Sequence, residues 1–185
     1  MARHRIFIAI DFSEEVIKEI ARVQEVLGNV KLIGKMTELE NLHLTLKFLG
    51  EIDDEKLERV RKRLKEVKFS EMELKLGVAG TFSFRGQPRI VWIKVMGKGI
   101  FELQKKIDDV LEGEGFGREE RFMSHLTIAR IKHVGDKTGF IDYVNGMGVK
   151  AVEFNVNEFK LKESELRRLG PVYKDLEIYE GKGIC

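Results

Sequence analysis

The chain has 185 residues, and 33 basic against 31 acidic side chains give it a formal net charge of +2. This length fits a single domain over residues 1–185, built of one unit or of two small lobes with a shared core. The balanced charge argues against a protein that holds nucleic acid mainly by a large positive field, although a nucleotide could still bind in a local pocket. No apolar run approaches the ~18 residues that a membrane span needs, and the apolar stretch before Asp11 is too short for a signal peptide. The single cysteine, Cys185, excludes an intrachain disulfide, so we expect a protein of the reducing cytoplasm.

Strand-like and helix-like segments alternate along the chain. Strands are predicted at residues 5–10, 42–49, 72–82, 89–95, 121–131, 149–162 and 172–179. Helices are predicted from the N-cap Ser13 to Gly28, from Asp53 or Asp54 through residue 67, over residues 100–111, and over residues 136–144. In the segment 149–162 the alternation of apolar side chains slips between Val156 and Phe159, which indicates a β-bulge.

The order of these elements indicates the fold class. Some strands follow one another directly, as in the predicted hairpin of residues 72–95, whereas others are separated by helices. This order favours an α+β fold with mostly antiparallel sheet over a doubly wound parallel fold. The sequence His-Leu-Thr-Leu at residues 43–46 returns as His-Leu-Thr-Ile at residues 125–128. One copy in each half of the chain predicts two similar lobes that face each other.

The repeated motif gives each of its strands two unlike faces. Alternate side chains of a strand point the same way, so His43 and Thr45 share one face, and the apolar residues between and beside them share the other. His125 and Thr127 repeat this arrangement. A lone histidine on a strand is more often structural than catalytic, but two copies of one tetrapeptide, which hold two of the four histidines, reverse that weighting. The motifs therefore predict an apolar core on one side and a polar cleft on the other.

Two imidazoles on opposite sides of a phosphorus atom suit phosphoryl transfer. Because imidazole titrates near pH ~6.5, one ring can accept a proton from the attacking nucleophile while the other donates a proton to the departing oxygen. The hydroxyl groups of Thr45 and Thr127 would bind the non-bridging phosphate oxygens and stabilise the charge that develops on them. The scheme requires no metal ion and no other cofactor.

The doubled His-x-Thr-x pattern resembles the 2H phosphoesterase superfamily. The flanking sequences resemble its RNA 2′,3′-cyclic phosphodiesterase branch, which is also described as a 2′–5′ RNA ligase family. The matching stretches, which run along nearly the whole chain, are residues 5–10, 43–50, 88–92, 125–130, 161–164 and 170–173. One departure is Ser124, which stands where bacterial relatives often have proline before the second histidine.

The resemblance implies two lobes related by a pseudo-twofold axis, with helices on their outer faces and the two histidines facing each other across a central cleft. It implies hydrolysis of RNA or oligonucleotide 2′,3′-cyclic phosphate ends to 2′-phosphomonoesters, with His43 as proton donor and His125 as the group that activates water. The sequence alone leaves the reverse assignment open. Arg130, which closes the second motif, is implied to bind phosphate, but strict alternation puts it opposite His125, so the strand must twist or bend after Thr127.

Two other functions stay open at this point. Run backwards, the same site could join an RNA 5′-hydroxyl to a cyclic end and make a 2′–5′ bond, or the cleft could bind RNA ends without catalysis. We expect a monomer, because nothing in the sequence resembles a dimer seam.

Several other residues are weaker candidates for a functional role. His4 and His133 lie outside the motifs and are expected at the surface, and no close Cys/His spacing predicts a zinc site. Phe12 and Phe84 could stack on a nucleobase, but burial in the core is the more common use of such residues.

Overall fold

The computed structural model of the protein describes residues 3–168 and 170–182. In this part of the chain there are nine strands: β1 (Arg3–Asp11), β2 (Leu32–Met36), β3 (His43–Asp53), β4 (Met72–Phe84), β5 (Gln87–Met96), β6 (His125–Val134), β7 (Glu153–Val156), β8 (Glu158–Arg167) and β9 (Gly170–Glu180). The same part contains four α-helices: α1 (Glu14–Gly28), α2 (Asp54–Leu64), α3 (Lys98–Glu112) and α4 (Lys137–Asn145).

All nine strands belong to one sheet in which the paired strands run antiparallel. The strand order is β7-β4-β5-β6-β3-β1-β8-β9, and β2 pairs with the free part of β6. The two strands that carry the repeated motif are therefore neighbours at the centre of the sheet, where they meet at the single pair Leu44 and Leu126. Each of these leucines is the second residue of its motif, so the two halves are arranged symmetrically about this pair. The predicted α+β fold with two similar lobes is confirmed.

The helices cover the apolar side of the sheet. Helix α1 begins after Ser13, whose hydroxyl accepts a hydrogen bond from the Val16 amide, and α2 begins after Asp53, whose carboxylate accepts one from the Lys56 amide. The inner face of α1 buries its aliphatic side chains completely or almost completely (Val16, Ile20, Val23 and Leu27). Full burial of each such side chain contributes about 1.5–3 kcal/mol to stability. Leu44 and Leu126 are also fully buried on this side, which leaves the opposite face of the central strands for the cleft.

The strands differ from the predicted ones at three places. Strand β2 was not predicted; it lies so close to β6 that a Cβ atom on Gly34 would be 2.5 Å from the Arg130 carbonyl oxygen, so only glycine fits there. The strand predicted at residues 121–131 begins only at His125, because residues 121–124 form part of an irregular segment. The strand predicted at residues 149–162 begins only at Glu153 and is two strands, β7 and β8, which are separated at Asn157 within the predicted irregularity.

Candidate active site

Four motif side chains lie on the exposed face of the two central strands. In both strands the histidine and threonine are half-buried, whereas Leu44 and Leu126 between them are fully buried. If the pairing of these leucines is extended by one residue, His43 lies opposite Thr127 and Thr45 lies opposite His125. The two histidines are then diagonal neighbours across the strand pair, a relation that places residues about 7–8 Å apart. All four side chains line one cavity of about 1000 Å³.

The backbone holds the two imidazoles in equivalent ways. The Nδ1 atom of His43 lies 2.8 Å from the Asn41 carbonyl oxygen, and Nδ1 of His125 lies 2.7 Å from the Met123 carbonyl oxygen. In each case the acceptor is two residues before the histidine. Because a carbonyl oxygen only accepts hydrogen bonds, Nδ1 must carry the proton in both neutral rings. In each ring the lone pair that can accept a proton is therefore on Nε2. Among the described residues, no group forms a hydrogen bond with either Nε2 atom.

Aromatic rings fix the orientation of each imidazole. Tyr173 is perpendicular to His43 at a centroid distance of 5.1 Å, and Phe82 meets His125 at 87° and 5.0 Å. Phe7 supports His43 from a second side at 4.9 Å. Both rings are held by their edges and by Nδ1, so little conformational freedom is left to lose when a ligand binds.

The surroundings of His43 favour its neutral form. Burial lowers the pKa of His43 to about 4, although the hydrogen bond to the Asn41 carbonyl opposes this effect. The positive charge of Lys162 lowers the pKa further, and the negative charge of Asp11 raises it. These two residues form an ion pair with a nitrogen–oxygen distance of 2.8 Å, and Lys162 also contacts Asp175 at 2.7 Å. In the protein without substrate, His43 is therefore unprotonated at neutral pH.

A β-bulge brings Arg130 into the cleft. In the pairing of β5 with β6, Val91 lies opposite Ala129 but Trp92 lies opposite Thr127, so Ile128 is an extra residue. Ile128 and Ala129 are consequently both buried, and Arg130 emerges on the face of the motif side chains, where it lines the cavity. The structure thus contains the bend after Thr127 that the sequence analysis required for an Arg130 facing the cleft.

The first motif contains the same bulge, and it exposes a residue that the sequence analysis missed. Ile8 of β1 lies opposite Lys47 but Ala9 lies opposite Thr45, so Leu46 is the extra residue in β3. Phe48 therefore emerges into the cavity with 73% of its surface exposed. Both Phe48 and Arg130 stand five positions after the histidine of their motif. This shared offset was visible in the sequence and is the signal that could have identified Phe48.

A buried ion pair holds the segment that leads into the second motif. Lys47, inside the bulge of β3, contacts the carboxylate of Asp108 on α3 and donates to the Gly117 carbonyl oxygen at 2.6 Å. The other oxygen of Asp108 accepts from the Glu119 amide and from Gln104, each at 2.9 Å. Burial works against the charge of Asp108 most strongly, but these hydrogen bonds together hold the pKa of its carboxyl below the ordinary value. The network ties residues 117–119 to two regular elements, and the cavity wall at residues 119–123 follows directly.

The remaining sequence candidates lie outside the cleft. His4 contacts Glu163 at 2.7 Å and Asp54 at 2.9 Å, and these hydrogen bonds raise its pKa. His133 lines a separate, smaller cavity. Phe12 packs against the core, and Phe84 is exposed at the β4–β5 turn and does not line the cleft.

Among residues 3–168 and 170–182, no group of three or more His, Cys, Asp and Glu side chains is placed to hold a metal ion. None of the helices in these two ranges is long and apolar enough to cross a membrane. Cys185 lies outside the described residues.

Known proteins are similar to this chain in sequence and in fold over most of their length. The model of the family described as LigT like Phosphoesterase matches residues 10–92 and 94–173. The chain therefore belongs to the LigT-like phosphoesterase family. This finding confirms the resemblance to the 2H phosphoesterase superfamily. One relative in the family, the RNA 2′,3′-cyclic phosphodiesterase of Archaeoglobus fulgidus, is 36% identical over 178 residues, which cover 95% of this chain and 99% of the relative.

Further family members agree with this match. The RNA 2′,3′-cyclic phosphodiesterase of Methanocaldococcus jannaschii is 37% identical over 172 residues, which cover 92% of this chain and 96% of the relative. The crystal structure of the Thermus thermophilus protein TT0787 superimposes with a TM-score of 0.80 at 27% identity, over 95% of this chain and 97% of that one. The apo structure of E. coli LigT gives a TM-score of 0.76 at 23% identity over 98% and 99%, which shows the shared fold.

Proposed function

We propose that the protein hydrolyses RNA or oligonucleotide 2′,3′-cyclic phosphate ends to 2′-phosphomonoesters by acid–base catalysis with two histidines. The observation that carries this proposal is the pair of equivalent imidazoles on adjoining strands, each with Nδ1 bonded to backbone and Nε2 available to one shared cavity. The family relatives named above support the substrate class, since both are RNA 2′,3′-cyclic phosphodiesterases.

In the proposed reaction, water attacks the phosphorus as the bond to the 3′ oxygen breaks. Nε2 of His125 accepts a proton from the water, and Nε2 of His43 donates a proton to the leaving 3′ oxygen, which is the assignment that the family resemblance implies. Thr45, Thr127 and Arg130 bind the non-bridging oxygens, whose negative charge grows in the transition state. The reaction consumes one water molecule and produces a 2′-phosphate and a free 3′-hydroxyl.

The low pKa of His43 fits this role only if substrate binding raises that pKa, so that the imidazole takes up a proton from solvent. A cyclic phosphodiester carries one negative charge, and an anion close to a partly desolvated imidazole stabilises the protonated form. Once protonated, an imidazole with a depressed pKa gives up its proton readily to the leaving oxygen. We therefore propose that His43 becomes protonated as the anionic substrate enters the cleft.

Product analysis with a chelator tests the proposed function. We expect the purified protein with EDTA present to open a nucleoside 2′,3′-cyclic phosphate and to release only the 2′-phosphate isomer, as resolved by chromatography. Release of the 3′ isomer, or loss of turnover with EDTA and recovery with a divalent metal ion, would contradict the proposed mechanism. With an added 5′-hydroxyl oligonucleotide, a 2′–5′ linked product would identify ligation, and tight binding without either product would identify a non-catalytic module.

A pH profile tests the environment of His43. Turnover requires one neutral and one protonated imidazole, so kcat/KM must fall once both rings are protonated, whichever ring donates. We expect this acidic limb near pH 4, because that is the pKa to which burial lowers His43. An acidic limb close to the ordinary imidazole value of ~6.5 would show that burial does not set the protonation of His43.

We further propose that residues 1–185 act as one domain in a monomer in the cytoplasm. The two halves share one sheet and one cleft, and each half supplies two of the four motif side chains. One chain thus provides the whole proposed site. Sedimentation of the purified protein tests the monomer, and a mass twice that of the chain would contradict it.

A further inference from the structure

The arginines in the cleft are not used in ion pairs. Arg5, Arg121 and Arg130 are exposed and line the cavity, and within residues 3–168 and 170–182 no carboxylate pairs with any of them. Most arginines outside the cleft are paired with carboxylates (Arg22, Arg59, Arg61, Arg63, Arg118 and Arg167). The two lysines in the cleft also have partners, since Lys35 contacts Glu38 and Lys47 contacts Asp108. The free positive charge of the cleft is therefore concentrated on three guanidinium groups.

These three arginines come from different walls of the cleft. Arg130 follows the second motif on β6, and Arg5 is two residues before Phe7 on β1, whose ring contacts His43. Arg121 belongs to the segment that the buried Asp108 network holds before His125. Burial is the main reason that the pKa of Tyr173 is raised, and the charges of both Arg130 and Arg5 oppose this effect. These two arginines therefore act on one hydroxyl next to His43 and lie in the same part of the cleft.

The number of free arginines exceeds what a mononucleotide requires. A nucleoside 2′,3′-cyclic phosphate carries one negative charge, and Arg130 with the two threonines can bind it. Arg5 and Arg121 then have no anionic partner, because no carboxylate of the described residues pairs with them and the terminal nucleotide carries no second negative charge. An RNA strand places a further negative charge at every linkage before its end, and a guanidinium binds such a phosphodiester through two hydrogen bonds.

We infer that Arg5 and Arg121 bind the phosphodiester groups that precede the cyclic end, so that the enzyme selects oligonucleotides over mononucleotides. This inference rests on the proposed function and specifies its substrate. The contacts are with the RNA backbone and therefore carry no base sequence preference. They also explain how a chain with a net charge of only +2 could recognise RNA, because the positive charge is local.

The test compares two substrates with the same reacting end: adenosine 2′,3′-cyclic phosphate and a tetra-adenylate that ends in it. For the wild type we expect a higher kcat/KM on the oligonucleotide. Arg5→Ala and Arg121→Ala are each expected to lower kcat/KM on the oligonucleotide by about 10-fold, the loss of one charge-assisted contact, and to leave the mononucleotide within about twofold. The slope of log kcat/KM against log salt should decrease by about 0.7 for each variant on the oligonucleotide.

The matched control is Arg89→Ala. Arg89 is an exposed arginine of β5 that does not line the cleft, and its guanidinium donates to the Lys132 carbonyl oxygen. This variant removes the same charge and should leave both substrates unchanged. Equal losses on both substrates for Arg5→Ala and Arg121→Ala, or no loss on either, would overturn the inference.

A failure of the proposed function can be distinguished from a failure of the inference on Arg5 and Arg121. In that case the wild type turns over neither substrate, and the inference is then tested by fluorescence anisotropy with a labelled tetra-adenylate that ends in a 2′-phosphate. About 10-fold weaker binding in each cleft variant but not in Arg89→Ala would support the upstream phosphate contacts, and unchanged binding would overturn them.

Discussion

Replacement of His43 or of His125 with alanine is expected to lower kcat/KM on a cyclic-ended oligonucleotide by about 10²–10⁴-fold, the range of a general acid or base. Each variant removes one Nε2 and leaves the other imidazole on its own backbone carbonyl. The remaining ring can accept or donate a proton, but it cannot do both on opposite sides of one phosphorus atom. The effect is therefore large at either position.

The leaving group separates the roles of the two histidines. In a nitrophenyl ester of a nucleotide, the leaving nitrophenolate departs as a stable anion and needs no proton. His43→Ala is expected to recover most of its lost activity on this ester, because the proposed role of His43 is to protonate the leaving oxygen. His125→Ala should stay inactive, since the attacking water still has to lose a proton. The opposite pattern would exchange the two roles and agree with a neutral His43 that accepts the proton.

His133→Ala is the matched control for both histidine variants. His133 is on the same strand as His125 but lines the separate, smaller cavity, so its replacement should leave kcat/KM unchanged. Thermal unfolding of all three variants shows whether a loss of activity is caused by a loss of folded protein. Full activity in either cleft variant that folds normally would refute catalysis by two histidines.

The sequence predicted the centre of the candidate site because two simple signals coincide there. A repeated tetrapeptide marks equivalent strands, and strict alternation puts His43 and Thr45 on the face opposite to the buried leucines. The repeat predicted two similar lobes that face each other, and the structure adds that the two motif strands adjoin at Leu44 and Leu126. Neither signal depends on contacts between distant residues, so both can be read from one sequence.

The bulges and the long-range contacts could not be derived in this way. Alternation predicts Arg130 on the wrong face, and only the pairing of β6 with β5 shows the extra residue that reverses it. The same effect hides Phe48. Strand β2 is short and contains Gly34, which is required because the backbone of β6 lies too close for a side chain. The partnership of Lys47 with Asp108 joins residues 61 positions apart, and the composition of two charged segments does not reveal it.

Loss of either partner of this buried ion pair is expected to destabilise the fold by about 3–5 kcal/mol, because the other charge then remains buried without compensation. Both side chains are at most 5% exposed. Lys47→Met leaves the carboxylate of Asp108 with only the Glu119 amide and Gln104, and Asp108→Asn leaves the Lys47 ammonium facing a neutral amide. Urea unfolding of the two variants against the wild type measures the loss.

The double variant Lys47→Met/Asp108→Leu shows whether the loss comes from an unpaired charge. Replacement of a buried pair by apolar side chains of similar volume is often neutral or stabilising, so we expect the double variant to be more stable than either single one. Arg118→Ala, which removes the exposed contacts to Asp109 and Glu112, is the control and should leave the stability nearly unchanged, because solvent screens exposed ion pairs. Additive losses in the double variant would instead assign the effect to packing. A stable double variant with a lower kcat would show that the pair is kept because Lys47 and Asp108 position residues 117–123 at the cleft.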